Sequence, residues 1–406
     1  MENLAMRTAV DEIQSVLLSD SPELTTLRFS LGERFGLVDN EVVTCIRRVV
    51  KGVNLKLFAP VTKLELILTE GCNLACTYCF EKDMLGYRKM SEEVARAAIE
   101  LLMEYSASER DVGITLFGGE PTLNFPVLQC AVEHAESRCD QLGKTVRFDM
   151  TSNGSLITEG MAEYFAEHKV MVLLSIDGLQ ESHDRFRKNK QGAGTFEGTM
   201  RAVKILKKTQ KWLGTKMTVM PENASRLFED VLGLYRLGIN QFLIGHATGI
   251  HWPEEALQAF ASQFGRLYRW YKEEKRTDLR ISDFEEIEAE SGSYFGCQAG
   301  RNSISVTVDG EISPCSKILA IDNKHLLAKL GDIVYGLSHI RNRFELVNCS
   351  QLKMACKEQG IEQDFRGGCF AVNHTDNGAL FVPSLQEHKV SFLKRSACSG
   401  CSACAH

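Results

Sequence analysis

The sequence predicts an α/β protein, an open partial (β/α)6 barrel followed by a cysteine-rich C-terminal region. Three observations carry that prediction. Between about residues 62 and 275, short apolar runs alternate with stretches of helical spacing, the pattern of parallel strand–helix units. Glycine-rich and polar strings follow the first four runs, where the loops at the carboxyl edge of a parallel sheet lie and ligands bind. The 14 cysteines are unevenly placed, with three between residues 72 and 79 and eight beyond residue 296.

Composition narrows the function classes. The 406 residues carry 47 Lys and Arg against 53 Asp and Glu, a net charge of -6, with 44% hydrophobic and 25% charged residues. That is an ordinary globular balance with room for two or three domains. The acidic surplus argues against a nucleic-acid binder or a polybasic membrane binder, which need a cationic face. The longest apolar run, residues 170–176, falls far short of the ~20 residues that span a bilayer. No basic-then-apolar signal opens the chain, so a cytoplasmic protein is expected. In a reducing compartment, clustered cysteines read as metal ligands or catalytic thiols before disulfides.

Residues 1–60, with an amphipathic stretch near Met6 to Leu18, read as an N-terminal extension and a candidate peptide-docking segment. The barrel is expected over residues 61–277, with strands at 64–69, 113–117, 146–151, 170–176, 215–220 and 240–245. Each run is short and rich in β-branched or aromatic residues, and each is followed by a helical stretch. The first helix begins after Ser91, which supplies a capping oxygen, and Glu92 and Glu93 suit the positive helix end. Six such units with right-handed crossovers curl into a partial barrel with their strand ends facing one cleft. Residues 278–406 form the last region. Two strand-like pieces, 302–308 and 311–315, flank Asp309-Gly310, a dipeptide suited to a hairpin. Beyond them the chain reads as loops with too little apolar periodicity to build a core, so metal is expected to hold it.

Cys72, Cys76 and Cys79 lie on one loop after the first strand. Three thiolates can hold three irons of a cuboidal cluster and leave the fourth open to a ligand. A zinc site using the same three thiols plus a remote ligand is the alternative. The spacing, with aromatic Tyr78 before the last cysteine at the end of the first barrel strand, resembles the radical S-adenosylmethionine (SAM) enzymes. Further strings match in order. Gly118-Gly119-Glu120-Pro121 resembles the family segment that binds the SAM amino group, and Ser152-Asn153 and Ser175 with Asp177 resemble those that hold the ribose and carboxylate. The resemblance sets Tyr78 on the adenine side, and Arg187, in a stretch shared with peptide-modifying members, is a candidate partner for a carboxylate. His246 and His251 read as ordinary polar loop residues.

The C-terminal region resembles the SPASM extension of that superfamily through Cys297, Gly310 and Cys315. It then departs from the usual spacing, continuing as Cys349, Cys356, Cys369, Cys398, Cys401 and Cys404. Eight cysteines equal two fully ligated four-iron clusters. The partition read here gives Cys297, Cys315 and Cys369 to the first cluster and Cys398, Cys401 and Cys404 to the second. Cys349 and Cys356 complete them in either order. A structural zinc at the terminal triplet is the alternative. Cys45, Cys130 and Cys139 read as packing residues.

The resemblance implies an oxidoreductase with SAM and three 4Fe-4S clusters, one binding SAM and two auxiliary. It would cleave SAM to a 5'-deoxyadenosyl radical that abstracts a hydrogen from a peptide residue. Within the superfamily the sequence most resembles maturases that install thioether or carbon–carbon crosslinks in ribosomally made precursor peptides, served by a flavodoxin or ferredoxin reductant. An anaerobic sulfatase maturase making formylglycine is the alternative, although its usual Asp after the second signature cysteine is replaced here by Ser316. A non-catalytic iron–sulfur electron carrier is a third reading. The sequence assigns no residue to the substrate's own proton transfers.

Overall fold

The structure, a computed structural model, describes residues 2–19, 22–35, 38–274, 276–288, 296–321, 326–362, 365 and 367–399. Three helices open the chain, α1 (Glu2–Leu17), α2 (Leu24–Phe35) and α3 (Asp39–Leu57). The repeat follows as β1 (Lys63–Ile67), α4 (Glu92–Tyr105), β2 (Asp111–Phe117), α5 (Phe125–Leu142), β3 (Thr145–Ser152), α6 (Glu159–Glu167) and β4 (Val170–Ser175). It continues as α7 (Gln180–Phe186), α8 (Phe196–Thr209), β5 (Gly214–Val219), α9 (Leu227–Arg236), β6 (Gln241–His246) and α10 (Glu254–Glu274). Then come β7 (Arg280–Ile281), α11 (Ser282–Glu288), β8 (Ser303–Val306), β9 (Glu311–Ser313), α12 (Ser316–Ile321) and β10 (Gly331–Asp332). Four helices close it, α13 (Ile340–Val347), α14 (Ser350–Glu358), α15 (Phe370–Asn377) and α16 (Leu385–Cys398). The six expected strands are β1 to β6, and Ser91 caps α4 by accepting the Val94 N–H at 3.3 Å.

The chain divides into two compact units, and β3 runs from one into the other. The first holds Met1–Gly71, Asp83–Phe148 and Gln298–Cys349. There β1 lies between β2 and β8, parallel to both, and β8, β9 and β10 continue antiparallel. The register sets Leu64 beside Ile114 and Ile304, and Leu66 beside Leu116 and Val306, all buried. The two-residue period of a strand then turns Glu65, Thr115 and Ser305 to the opposite face. The expected hairpin at Asp309-Gly310 joins β8 to β9.

The N-terminal helices share a core with residues far along the chain. Ile13, Leu17, Leu31, Ile46 and Val50 pack in one cluster with Tyr335 and Ile340. Asn54 Nδ2 donates to Leu337 O at 2.8 Å, and Arg343 Nη1 donates to Asn54 Oδ1 at 2.7 Å. Arg343 is buried, and its other N–H groups donate to the carbonyls of Gly300, Ala59 and Arg301 at 2.9 to 3.1 Å. Its guanidinium also lies over the Phe58 ring, 4.5 Å from the centroid.

The second unit holds Cys72–Lys82, Asp149–Cys297 and Ser350–His406. Strands β4, β5, β6 and β7 run parallel in that order. Phe260 and Phe264 of α10 and Phe284 of α11 stack against one another in the core. Helix α16 is fastened to this body by Lys394, whose Nζ donates to Ile244 O at 2.8 Å and to Asp283 Oδ1 at 2.5 Å. The sequence reading expects loops after the hairpin, whereas the structure has α13 to α16. Their apolar faces are narrow: α14 buries Leu352 and Cys356, and α16 buries Val390 and Leu393. Two or three buried apolar residues per helix leave too weak a period to read from sequence, and such helices are stabilised by packing rather than propensity.

Candidate cluster and cofactor site

The loop bearing Cys72, Cys76 and Cys79 is held by the segment after α7. The Ala75 N–H donates to Lys188 O at 2.8 Å, the Thr77 N–H donates to Phe186 O at 3.0 Å, and Leu74 bridges Asn189. From the end of β3, Asn153 Nδ2 donates to Asn73 Oδ1 at 3.0 Å, and Asn73 Nδ2 donates to Ser155 Oγ at 2.8 Å. Asn73 is a position that sequence reasoning missed, because nothing in its spacing marks it as the loop's tether. The three thiols are half-buried.

Behind Cys76 stands a closed network. Asp177 is fully buried and takes Arg187 Nε on Oδ2 at 2.8 Å, Arg187 Nη2 on Oδ1 at 3.1 Å and the Thr218 N–H on Oδ1 at 2.9 Å. The Tyr78 hydroxyl also bonds Asp177 Oδ2. The carboxylate that Arg187 meets is therefore that of Asp177. The guanidinium lies 5.4 Å from the Tyr78 ring centroid and sets Nη1 4.0 Å from Cys76 Sγ. Burial pushes the Tyr78 phenol well above its usual range, so it is a donor at neutral pH. Burial likewise raises the Cys76 thiol, opposed by the charge of Arg187, and raises Cys79 to about 11.

In the first unit, Gly118-Gly119-Glu120 lies along the residues that lead into Cys72. The Gly119 N–H donates to Thr69 O at 3.1 Å and the Glu120 N–H donates to Gly71 O at 2.9 Å. Gly118 has φ 128°, and a Cβ there would stand 2.3 Å from Thr69 O, so no other residue fits. Glu120 is buried, with Oε1 accepting from Thr122 N–H at 3.2 Å and Thr122 Oγ1 at 2.6 Å, and Pro121 opens a short 3-10 turn. Ser152 is buried at the end of β3 and accepts the Gly154 N–H at 3.0 Å, while Ser175 ends β4. After Asp177, Gly178 has φ 144° and an added Cβ would sit 2.5 Å from the Asp230 carboxyl carbon. Asp230 accepts from the Leu179 N–H at 2.9 Å and from Ser182 Oγ at 2.6 Å, another support without a signal in the sequence.

His246 is the last residue of β6, not a loop residue, and its Nε2 lies 2.8 Å from Glu387 Oε1 of α16, with Trp252 against its ring. His251 is exposed outside any helix or strand, as expected.

The C-terminal cysteines are spread through the fold. Cys315, just before α12, accepts the Ile318 N–H on Sγ at 3.4 Å, and the next residue's N–H, from Ser316, donates to Glu65 Oε1 at 3.0 Å. Cys349 is buried with Arg301 Nη2 3.5 Å from its sulfur, and Cys356 is buried on α14. Cys297 and Cys369 are half-buried, and Cys398 ends α16 with its thiol pushed by burial to about 12. Cys401 and Cys404 lie outside the described residues. Cys130 and Cys139 are buried in α5, and Cys45 packs against the N-terminal core.

Among the described residues no three His, Cys, Asp or Glu side chains converge on a point where one metal ion could sit. A cuboidal cluster requires no such convergence, since each thiolate binds a different iron. The donor chemistry of the Cys72, Cys76 and Cys79 loop fits that group. The thiols are half-buried, the Leu74 N–H points at Cys72 Sγ at 3.4 Å, and the Arg187 cation faces Cys76. Both contacts favour thiolate sulfur.

Residues 66–232 match the model of the radical SAM superfamily. The chain is 27% identical, over 46% of its length and 40% of the relative's, to the radical SAM cyclopropyl synthase TigE of Paramaledivibacter caminithermalis. It is 35% identical, over 37% of its length and 38% of the relative's, to the serine-type anaerobic sulfatase-maturating enzyme of Bacteroides thetaiotaomicron. The chain thus spans about two fifths of these relatives. Among solved structures, anSMEcpe with bound AdoMet and Cp18Cys peptide matches at a TM-score of 0.66 and 20% identity, covering 84% of this chain and 97% of that one. Streptococcus suis SuiB bound to precursor peptide SuiA matches at 0.55 and 15% identity, covering 84% and 79%. At these identities the likeness is one of fold, the open partial (β/α)6 barrel with a C-terminal cysteine-rich domain. Residues 66–232 thus carry the likeness to the radical SAM superfamily, and a cyclopropyl synthase and sulfatase-maturating enzymes are among the relatives of this chain.

Proposed function

We propose that the protein is a radical SAM maturase that abstracts a hydrogen from a residue of a ribosomally made precursor peptide and installs a crosslink, thioether or carbon–carbon. The observation that carries this reading is the loop of three half-buried thiols backed by the Tyr78–Asp177–Arg187 network. The relatives that modify peptides or proteins support the substrate class.

In this reading Cys72, Cys76 and Cys79 hold the first 4Fe-4S cluster and leave one iron for SAM. When bound, the pair supplies a carbon-centred radical by one-electron cleavage of SAM. Gly118 to Pro121 take the amino group on backbone and carboxylate acceptors; Ser152, Asn153 and Ser175 take the ribose and carboxylate; Tyr78 lies by the adenine. Asp177 orients Arg187, whose fixed charge beside Cys76 favours thiolate over thiol in a site that burial makes hostile to it. Cys297, Cys315, Cys349, Cys356, Cys369, Cys398, Cys401 and Cys404 would hold two auxiliary clusters, whose chemistry would be that of a one-electron acceptor. A flavodoxin or ferredoxin supplies the reducing electron, and the enzyme works in the cytoplasm.

Sulfatase maturation is retained as a second reading on one specific observation. Ser316 replaces the usual Asp, yet its N–H and the Ser305 hydroxyl both bond the Glu65 carboxylate, so a base of the needed kind stands beside Cys315. The test is anaerobic iron and sulfide content with a dithionite assay for 5'-deoxyadenosine. About twelve irons and SAM cleavage are expected, and no cleavage would sink the enzyme reading. Product mass with hydrazide labelling then separates the two activities, since crosslinking and formylglycine formation from Ser both remove two hydrogens, formation from Cys also exchanges sulfur for oxygen, and only the formylglycine aldehyde takes up the hydrazide.

A further inference from the structure

The chain is acidic overall, yet between residues 181 and 211 nine Lys and Arg face three Asp and Glu. Two of these three acids are engaged, and the third, Glu197, is exposed. Glu181 pairs with Arg226 at 3.1 Å, and Asp184 Oδ1 accepts the N–H groups of Thr195 and Phe196 at 2.7 and 2.8 Å. Of the cations, only Arg187 is buried in the network above. Arg185, Lys190, Arg201 and Lys204 are exposed, and among the described residues none of them makes an ion pair.

Their placement ties this charge to the cysteine loop. Residues 188–194 form a hairpin in which Lys188 pairs with Gly194, and the Asn189 N–H donates to Ala193 O at 2.9 Å. One side of the hairpin bonds the cysteine loop through Lys188 with Ala75 and Asn189 with Leu74. Its other side borders a surface cavity of about 660 Å³ lined by Gly194, Phe196, Met200, Arg201 and Lys204, with Glu197 the one acid among its lining residues. A recess with a cationic rim therefore stands one hairpin away from the proposed cluster ligands.

We propose that this surface docks the electron donor, an acidic flavodoxin- or ferredoxin-type protein. The inference rests on the reading of Cys72, Cys76 and Cys79 as cluster ligands. One electron passes per encounter: the donor is oxidised by one and the cluster is reduced by one. An acidic carrier must come and go repeatedly, and opposed charge raises the encounter rate without demanding a tight complex. The hairpin gives the docked donor a covalent and hydrogen-bonded route to the loop through Lys188 and Asn189.

The test compares two reductants on the full-length, cluster-loaded protein, purified flavodoxin of net negative charge and excess dithionite. The variant is Lys190→Glu/Arg201→Glu/Lys204→Glu, which touches no proposed SAM or cluster contact. Flavodoxin-driven SAM cleavage should fall roughly tenfold at low salt, and the wild-type rate should fall towards the variant's as salt rises. Dithionite-driven cleavage should be unchanged. Equal flavodoxin-driven rates in both proteins, or an equal fall with both reductants, would overturn the proposal. Anisotropy of labelled flavodoxin against the protein gives a readout independent of turnover. If wild type fails to cleave SAM with dithionite, the enzyme reading fails, while salt-sensitive flavodoxin binding lost in the variant still upholds the docking surface. Loss of acidic-peptide binding with flavodoxin binding intact would assign the surface to a peptide and overturn the proposal.

Discussion

The two cysteine regions of this molecule are built on different principles. Cys72, Cys76 and Cys79 sit within eight residues of chain, on a loop braced by Lys188, Asn153 and the Asp177–Arg187 pair. Cys297 to Cys398 are distributed over a hairpin, α14, the start of α15 and the end of α16, and two of them are buried in helical packing. In the first region spacing alone brings the ligands together. In the second, ligand positions are outcomes of the fold, so their partition cannot be read by counting residues between them. Local ligand sets are legible because the chain has no alternative way to arrange them, whereas distant ones depend on every element between.

The largest effect that sharpens this contrast is expected from Cys72→Ala/Cys76→Ala/Cys79→Ala. It should abolish 5'-deoxyadenosine formation and remove about four irons, with the remaining iron retained; loss of all iron would show the two regions to be interdependent. Cys401→Ala should lower iron content only in part and increase protease cleavage after α16, read by limited proteolysis. Unchanged iron would remove the terminal triplet from the ligand set.

Stability should distinguish the regions too. Arg343→Met removes the buried donor that joins Asn54 to the carbonyls of Gly300, Ala59 and Arg301, and a loss of ~3 kcal/mol is expected because buried acceptors are left unmet. Urea unfolding measures it, and a change below ~1 kcal/mol would show that these carbonyls find other partners. On the cysteine-loop side, His183 is buried, and burial first, then the charge of Arg187, lowers its pKa from 6.5 to about 4. Its folded value lies below its unfolded one, so the neutral ring favours the fold above pH ~6.5, and that contribution is lost as pH falls towards about 4. The urea midpoint should therefore drop across that window, and His183→Gln should flatten the drop. The smallest effect is expected from Tyr78→Phe, about 1 kcal/mol, since Asp177 keeps Arg187 and the Thr218 N–H. SAM affinity measured alongside should fall only modestly, because the ring remains.

Much of the barrel was legible. Strands such as β5 and β6 stand out because parallel strands buried in a core demand short β-branched runs, and the register then follows from that pattern. Ser91 announced α4 by its capping chemistry, and Gly118 was marked by its resemblance to a family segment, to which the structure adds a close approach to Thr69 that leaves no room for a side chain. Other features were not legible. His246 meets Glu387 across 141 positions of sequence, and Asn54 meets Arg343 across 289. Helices α13 to α16 were hidden because each buries few apolar side chains and borrows its stability from a body formed elsewhere.

The sequence by itself determined the strand–helix repeat, the three-thiol loop and the order of the glycine-rich turns, since each depends on interactions within a few residues. Only the tertiary structure decided that Arg187 is clasped by Asp177, that the N-terminal helices share a core with Tyr335 and Ile340, and that a cationic hairpin backs the cysteine loop. Those pairings join residues from separate elements, and their energy comes from burial and hydrogen bonds that exist only once the chain has closed upon itself.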